Sequence, residues 1–144
     1  MQVDINYLAV LLAAMSSMVV GSIWYSPKVF GKLWKRLAHI DSKEKMSSPR
    51  SLVIAFVGSL ITASILAYMI TLVHRYSGTH NYMLDSVWTA FWLWLGFTAV
   101  RFIVRDVFDA RPMKLTLLNI ANECVTIIIM SLIIGIFAPA LVPA

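Results

Sequence analysis

Residues 115–137 read LTLLNIANECVTIIIMSLIIGIF, and this stretch decides how the chain folds. It is apolar and long enough to cross the ~30 Å hydrocarbon core of a bilayer as a helix. Its few polar side chains recur at spacings of three and four, so a helix places them on one face. Because a carboxylate is costly against lipid, this face should point toward other helices or a wet cavity. The residues of this face are Thr116, Asn119, Glu123, Thr126 and Met130, with Asn122 beside them.

Three further apolar runs of similar length precede this one. The chain of 144 residues is 60% hydrophobic and only 13% charged, which leaves too little polar surface for a soluble domain. We therefore predict an all-α integral membrane protein that forms a single four-helix domain over residues 1–144. The predicted transmembrane helices cover residues 6–25, 50–73, 85–104 and 115–137.

Small residues repeat at every fourth position in the first two predicted spans. Such residues let two helix backbones approach closely. We therefore expect spans one and two to pack as a close antiparallel pair, although small residues also occur by chance in alanine-rich membrane helices. The two rows are Ala9, Ala13, Ser17 and Gly21 in span one, and Ala55, Ser59, Ala63 and Ala67 in span two.

Residues 27–39, directly after the first span, predict a short amphipathic helix in the membrane interface. Ser26 and Pro27 are typical of a helix start, with the serine as N-cap and the proline in the first turn. The cations of this segment would lie near anionic lipid headgroups, and a partner-binding role for its lysines stays open. The interfacial aromatic residues are Trp24, Tyr25 and Trp34, and the cations are Lys28, Lys32, Lys35 and Arg36.

Basic residues are concentrated in the first and third predicted loops. With four spans these two loops lie on the same side, which the positive-inside rule makes cytoplasmic, so both termini face out. This topology explains the net charge of +5 without nucleic acid as a partner. The first loop carries Lys28, Lys32, Lys35, Arg36, Lys43, Lys45 and Arg50, and the third carries Arg101, Arg105, Arg111 and Lys114.

Glu123 is the candidate functional residue, because a regular fourth helix places it roughly 13 Å into the membrane, near the midplane. Asn119, Asn122 and Thr126 lie within hydrogen-bonding reach on the same helix. In the preferred interpretation Glu123 is a packing contact, paired with Arg101 of span three, in an oligomeric structural or accessory membrane subunit. In the alternative, Glu123 is the intramembrane site of a small-solute, proton or ion transporter or channel.

The spans contain no pattern that favours catalysis. They have no His-Glu pair, no serine with a base and no paired aspartates, so we expect no enzyme and no cofactor. His74 and His80 stand in the second loop without a close set of further ligands, so we expect no metal site. A four-helix subunit this small would need partners to enclose a pore, and we expect a homo-oligomer, a dimer or trimer, in the lipid bilayer.

Two groups of residues resemble a known family along nearly the whole chain. The family consists of small bacterial four-span membrane proteins known only as a domain of unknown function. The resemblance implies the four-helix architecture and a bacterial plasma (inner) membrane, and it implies no activity. Its first part is Trp24-Tyr25-Ser26-Pro27, Phe30-Gly31 and Trp34, and its second part is Leu95-Gly96-Phe97 and Arg111-Pro112-Met113-Lys114-Leu115 with Asn119.

Overall fold

The computed structural model of the protein describes residues 5–39, 48–78 and 80–138. Within these ranges every regular element is a helix, which confirms the predicted fold class. Lys43 and Lys45, which contribute to the predicted orientation, lie outside the described residues. The elements are α1 (Tyr7–Trp24), α2 (Gly31–Leu37), α3 (Pro49–Ser77), α4 (Tyr82–Leu93), a π-helical turn (Trp94–Ala99), α5 (Val100–Phe108) and α6 (Met113–Ile136).

Four continuous helices are long and apolar enough to cross a membrane. Span one is α1, span two is α3 and span four is α6. Span three runs over Tyr82–Phe108, through α4, the π-helical turn and α5. A short helix, α2, follows the first span, as the sequence predicts.

Span two extends beyond its predicted end. It starts at the serine-proline pair, where the Ser48 side chain accepts a hydrogen bond from the Ser51 N–H at 3.2 Å. It then continues past residue 73 to Ser77, so His74 lies within the helix. Gly78 ends it in the left-handed conformation with φ 66°, which glycine adopts without strain.

Span three begins before its predicted start at residue 85. Asn81 caps it, because its side chain accepts a hydrogen bond from the Leu84 N–H at 3.1 Å. The first helical residue is therefore Tyr82, and Asp85 occupies the first turn of α4. At its other end the span continues to Phe108.

The helix after the first span is shorter than predicted, Gly31–Leu37 rather than residues 27–39. The residues before it form a turn, in which the Ser26 carbonyl accepts hydrogen bonds from the N–H groups of Val29 at 3.1 Å and Gly31 at 2.9 Å. A Cβ atom on Gly31 would overlap the carbonyl oxygens of Tyr25 and Ser26. Only glycine fits at the start of α2 for this reason.

The buried core lies in the half of the bundle that holds the start of α1 and the end of α3. α1 packs between α3 and α6, and α4 packs against α3 and α6. All four spans contribute side chains, so this end of the bundle is closed by apolar packing. The core residues are Val10, Ala13, Ala14, Ala63, Leu66, Ala67, Ile70, Ala90, Met130 and Ile134.

The two rows of small residues divide into a packed part and an open part. Ala9, Ala13, Ala63 and Ala67 are buried. At the next level Ser17 Oγ donates a hydrogen bond to Ser59 Oγ across the two helices at 2.7 Å. Beyond this bond the row residues Gly21 and Ala55 border an open space, and a Cβ atom on Gly21 would meet nothing within 4 Å. Spans one and two thus separate toward the α2 side of the bundle.

Replacing Ala63 by leucine should lower the free energy of unfolding by about 1–3 kcal/mol, because the added atoms would enter a closely packed core position. Ala55→Leu is the matched control, since Ala55 belongs to the same row but is exposed. Unfolding by SDS titration in bicelles measures both variants. Equal losses of stability would contradict close packing at Ala63.

Candidate functional site

A cavity of about 740 Å³ opens between spans one, two and four, and one residue of span three also lines it. It begins near the Ser17–Ser59 hydrogen bond and extends along the diverging halves of α1 and α3. Its walls combine apolar side chains with several hydroxyl groups. The hydroxyl-bearing residues that line it are Ser17, Ser22, Tyr25, Ser59, Thr62, Thr98 and Thr126.

Three residues of the polar face of α6 line this cavity together. They are the polar residues Asn122, Glu123 and Thr126, and Met130 of the same predicted face lines the cavity with them. The Glu123 carboxylate forms no hydrogen bond and no ion pair with any residue that the structure describes. An unpaired carboxylate that faces a cavity is available to a proton or to a cationic ligand.

Asn122 presents a second unused polar atom. The residue is only 7% exposed, and its Oδ1 is buried without a hydrogen-bond partner among the described residues. Leaving a buried acceptor unpaired costs about 1–3 kcal/mol. The Asn122 side chain also contacts Tyr25, so its Oδ1, unpaired among the described residues, is the one atom of this side chain that still needs a partner such as a ligand or a water molecule.

Arg101 does not belong to this site, and its expected pairing with Glu123 is not formed. Arg101 is exposed in α5, and none of the ion pairs between described residues includes it. Thr98, rather than Arg101, is the residue through which span three lines the cavity.

Asn119 belongs to a different cluster from Glu123, although both lie on α6. Its Oδ1 accepts hydrogen bonds from Tyr25 Oη at 3.1 Å and from Trp34 Nε1 at 3.2 Å. It borders a smaller pocket of about 430 Å³, between α2 and the start of α6. Asn119 thus fastens the turn after span one and α2 to span four.

The residues predicted to lie in the membrane interface have different surroundings in the structure. Tyr25 and Trp34 are half-buried and bind Asn119, and their rings meet edge to face at 5.5 Å. Trp24 packs on Phe30 at 4.7 Å, and its Nε1 is buried without a partner among the residues described. The cations lie on α2 and the turn before it, and none lines the cavity: Lys28, Lys32 and Arg36 are exposed, and Lys35 is half-buried.

The π-helical turn coincides with the Leu95-Gly96-Phe97 segment. Trp94 begins the turn, and its Nε1 donates a hydrogen bond to the carbonyl of Ile120 in α6 at 3.2 Å. Thr98 lies near the other end of the turn and lines the cavity. Single π-helical turns are often found at functional sites. Apolar periodicity alone gives no indication of this turn, so the sequence predicts an unbroken α-helix instead.

Asp106 forms a buried junction between spans three and four that the sequence does not reveal. It is 1% exposed and accepts hydrogen bonds from Thr116 Oγ1 at 2.9 Å and from Arg105 Nε at 2.9 Å. In the sequence, an aspartate between arginines is typical of an exposed charged loop. Only the contact with Thr116 shows that Asp106 is instead a buried residue. Asp106 does not line the cavity, so we interpret this junction as a structural contact between spans three and four.

A second polar cluster lies at the end of the bundle opposite Asp106, where span two ends and span three begins. His74 Nδ1 donates to Asp85 Oδ2 at 2.7 Å, and Ser77 Oγ donates to the same oxygen at 3.1 Å. The His74 ring also packs edge to face on Tyr82 at 4.9 Å. His80 is exposed, and over the described ranges no group of three or more metal-ligating side chains occurs. The sequence misses this pair because it places both residues at the ends of a loop.

The chain was compared with known proteins at three levels. No curated protein matches it. No solved structure matches it either. A family model does match, over residues 8–135, and its description is "Protein of unknown function (DUF1761)". This match covers nearly the full length of the four spans, the turn before α2 and the cavity. The chain therefore belongs to the DUF1761 family.

Proposed function

We propose that this protein is a small membrane transporter in which Glu123 binds a proton or a small cation. The observation that carries the proposal is the unpaired Glu123 carboxylate in a cavity of about 740 Å³. Ionisable residues inside membrane spans usually face a cavity and take part in transport. The cavity volume lies in the range of known small-molecule sites.

The charge of the cavity favours a cation over an anion. Glu123 is the one acidic residue among the described residues that line it, and no lysine, arginine or histidine joins them. In a site of low dielectric constant a single negative charge attracts a proton or a cation strongly. An anionic solute would be repelled by the same charge.

The packing of the bundle favours access from one side. The cavity lies toward the end of α1 and the start of α3, whereas the other half of the same helices forms the apolar core. We propose that the open side is cytoplasmic, because the lysine-rich first loop lies there. In this orientation both termini face out, and we propose the bacterial plasma membrane as the location.

A structural or accessory role for Glu123 has less support. It would require a partner for the carboxylate, and Arg101 does not supply one. Asn119, in contrast, has the contacts of a packing residue. We also propose that the protein acts as a homo-oligomer, a dimer or trimer, because four helices do not enclose a pore of their own.

The Glu123→Gln variant should fold normally and lose transport. Wild-type protein and variant are reconstituted in liposomes, and proton flux is followed with entrapped pyranine and rubidium flux with a radioactive tracer. We expect the wild-type protein to move at least one of these ions and the variant to match protein-free liposomes. The melting temperature should stay unchanged, because Glu123 has no partner to lose.

Asp109→Asn is the matched control, since it removes one negative charge from an exposed residue outside the cavity. It should leave flux unchanged. If the wild-type protein moves neither ion, or if Glu123→Gln retains full flux, the proposal is wrong. If the variant instead loses thermal stability together with flux, the packing interpretation of Glu123 is correct.

A further inference from the structure

We propose that the cavity binds an organic cation that carries N–H donors, a primary ammonium or a guanidinium, and discriminates against quaternary ammonium ions. This inference rests on the proposed function, because it assigns a substrate class to the Glu123 cavity. It follows from which hydrogen-bonding groups in the cavity wall are already used and which are free.

Each serine hydroxyl group in the cavity wall already donates its hydrogen atom to another group of the protein. Ser22 Oγ donates to the Met18 carbonyl at 2.7 Å, and Ser59 Oγ donates to the Ala55 carbonyl at 2.9 Å. Ser17 Oγ lies 2.8 Å from the Ala14 carbonyl and 2.7 Å from Ser59 Oγ, so its hydrogen atom is also used. A hydroxyl group that donates to the backbone keeps lone pairs as acceptors. The serines therefore offer oxygen acceptors to the cavity.

The amide of Asn122 adds an acceptor of another kind. Its Oδ1 is buried and has no partner among the described residues, and the residue lines the cavity next to Glu123. Together with the Glu123 carboxylate and the serine hydroxyl groups, this gives the wall several oxygen acceptors and one negative charge. The ligand that satisfies such a wall is one that donates several hydrogen bonds and is positively charged.

The volume of the cavity favours an organic cation over a bare metal ion as the ligand. A cavity of about 740 Å³ is far larger than a metal ion needs, and it matches the space of a drug-sized ligand. Met18, Leu52 and Ile127 supply apolar wall area that a carbon skeleton would contact. A quaternary ammonium has the same charge and would enter the same space, but it carries no N–H group and would leave the acceptors unpaired.

The test compares three cations that share a benzyl group and differ at nitrogen: benzylammonium, benzylguanidinium and benzyltrimethylammonium. Binding to the full-length protein in nanodiscs is measured by isothermal titration calorimetry at neutral pH, with empty nanodiscs as the blank. We expect the first two to bind at least about tenfold more tightly than the third, which is the value of one charged hydrogen bond.

Two variants test whether Asn122 is responsible for the preference for cations with N–H groups. Asn122→Leu should reduce the ratio of benzylammonium to benzyltrimethylammonium affinity several-fold, whereas Cys124→Ala, which alters a neighbouring residue outside the lining, should leave it unchanged. The comparison of the three cations on the unaltered protein decides the inference even if Asn122→Leu misfolds. Equal affinity for benzyltrimethylammonium, or binding of none of the three, overturns it. Loss of ion flux in Glu123→Gln would still support the proposed function in either case.

Discussion

The His74→Leu variant should lose about 1–3 kcal/mol of unfolding free energy, the cost of removing a hydrogen-bond donor from a buried polar group. Asp85 is buried at the start of span three and accepts its 2.7 Å hydrogen bond from His74. Leucine fills a similar space but cannot donate to the carboxylate. It also removes the ring that packs on Tyr82. SDS titration in bicelles measures the change, and a fall in melting temperature should accompany it.

His80→Leu is the control for this variant. It exchanges the same residue types at the same end of the bundle, but His80 is exposed. We expect its unfolding free energy to stay within about 0.5 kcal/mol of the wild-type value, as for most surface substitutions. If the two histidine variants are equally stable, the pair of His74 and Asp85 does not hold spans two and three together.

Gly31→Ala should cost about 3 kcal/mol of unfolding free energy, the upper end of the usual range for added atoms at a closely packed site. The new Cβ atom would overlap the Tyr25 and Ser26 carbonyl oxygens, which are fixed parts of the backbone. Relief requires α2 to move away from the turn, which breaks the Gly31 N–H bond to Ser26 at 2.9 Å. It also shifts Trp34 away from Asn119. We expect a lower unfolding free energy and increased proteolysis of the segment after span one.

Gly58→Ala is the matched substitution in span two. A Cβ atom on Gly58 would meet nothing within 4 Å, and alanine favours the helix by about 1 kcal/mol over glycine. This variant should therefore be as stable as the wild-type protein or slightly more stable. A Gly31→Ala protein that behaves like Gly58→Ala would show that α2 can be displaced without cost.

The sequence predicts the number and kind of the spans well, because the hydropathy of each run is a local property. Span ends are predicted less well, because they depend on capping. Gly78 and Asn81 mark the true boundaries, and both residues have recognisable cap chemistry that outweighs the apolar pattern. The start of α2 differs for another reason, since the serine-proline pair forms a turn instead of a helix cap.

Part of the candidate site could be predicted and part could not. The spacing of Asn122, Glu123 and Thr126 places them together, because residues on one helix have fixed relative positions. Partners from other helices are different, because spacing gives no information on how far apart two spans lie. The separation of α1 from α3 creates the cavity, and nothing local to Gly21 or Gly58 predicts it.

Asn119 and Arg101 illustrate the same limit. Helical periodicity groups Asn119 with Glu123, but its hydrogen bonds come from Tyr25 and Trp34, which are far away in the chain. The Arg101 side chain is long enough to contact Glu123, but its length does not determine the direction in which it points. A contact across two helices needs the rotation of each helix about its axis, which only the packed structure provides.

The π-helical turn in span three changes the rotation of α5 about the helix axis by a fixed amount. Such a turn holds one residue more than an α-helical turn, so α5 is rotated by about 100° relative to a continuous α-helix. Asp106 meets Thr116 in this rotated register. If the same sequence wound as a continuous α-helix, the Asp106 carboxylate would turn about 100° away from Thr116, whereas deleting one residue between Trp94 and Ala99 would restore a regular helix and leave Asp106 facing its partner. The π-helical turn thus absorbs one residue of chain length, so span three should tolerate the loss of that residue better than the loss of a residue elsewhere along the helix.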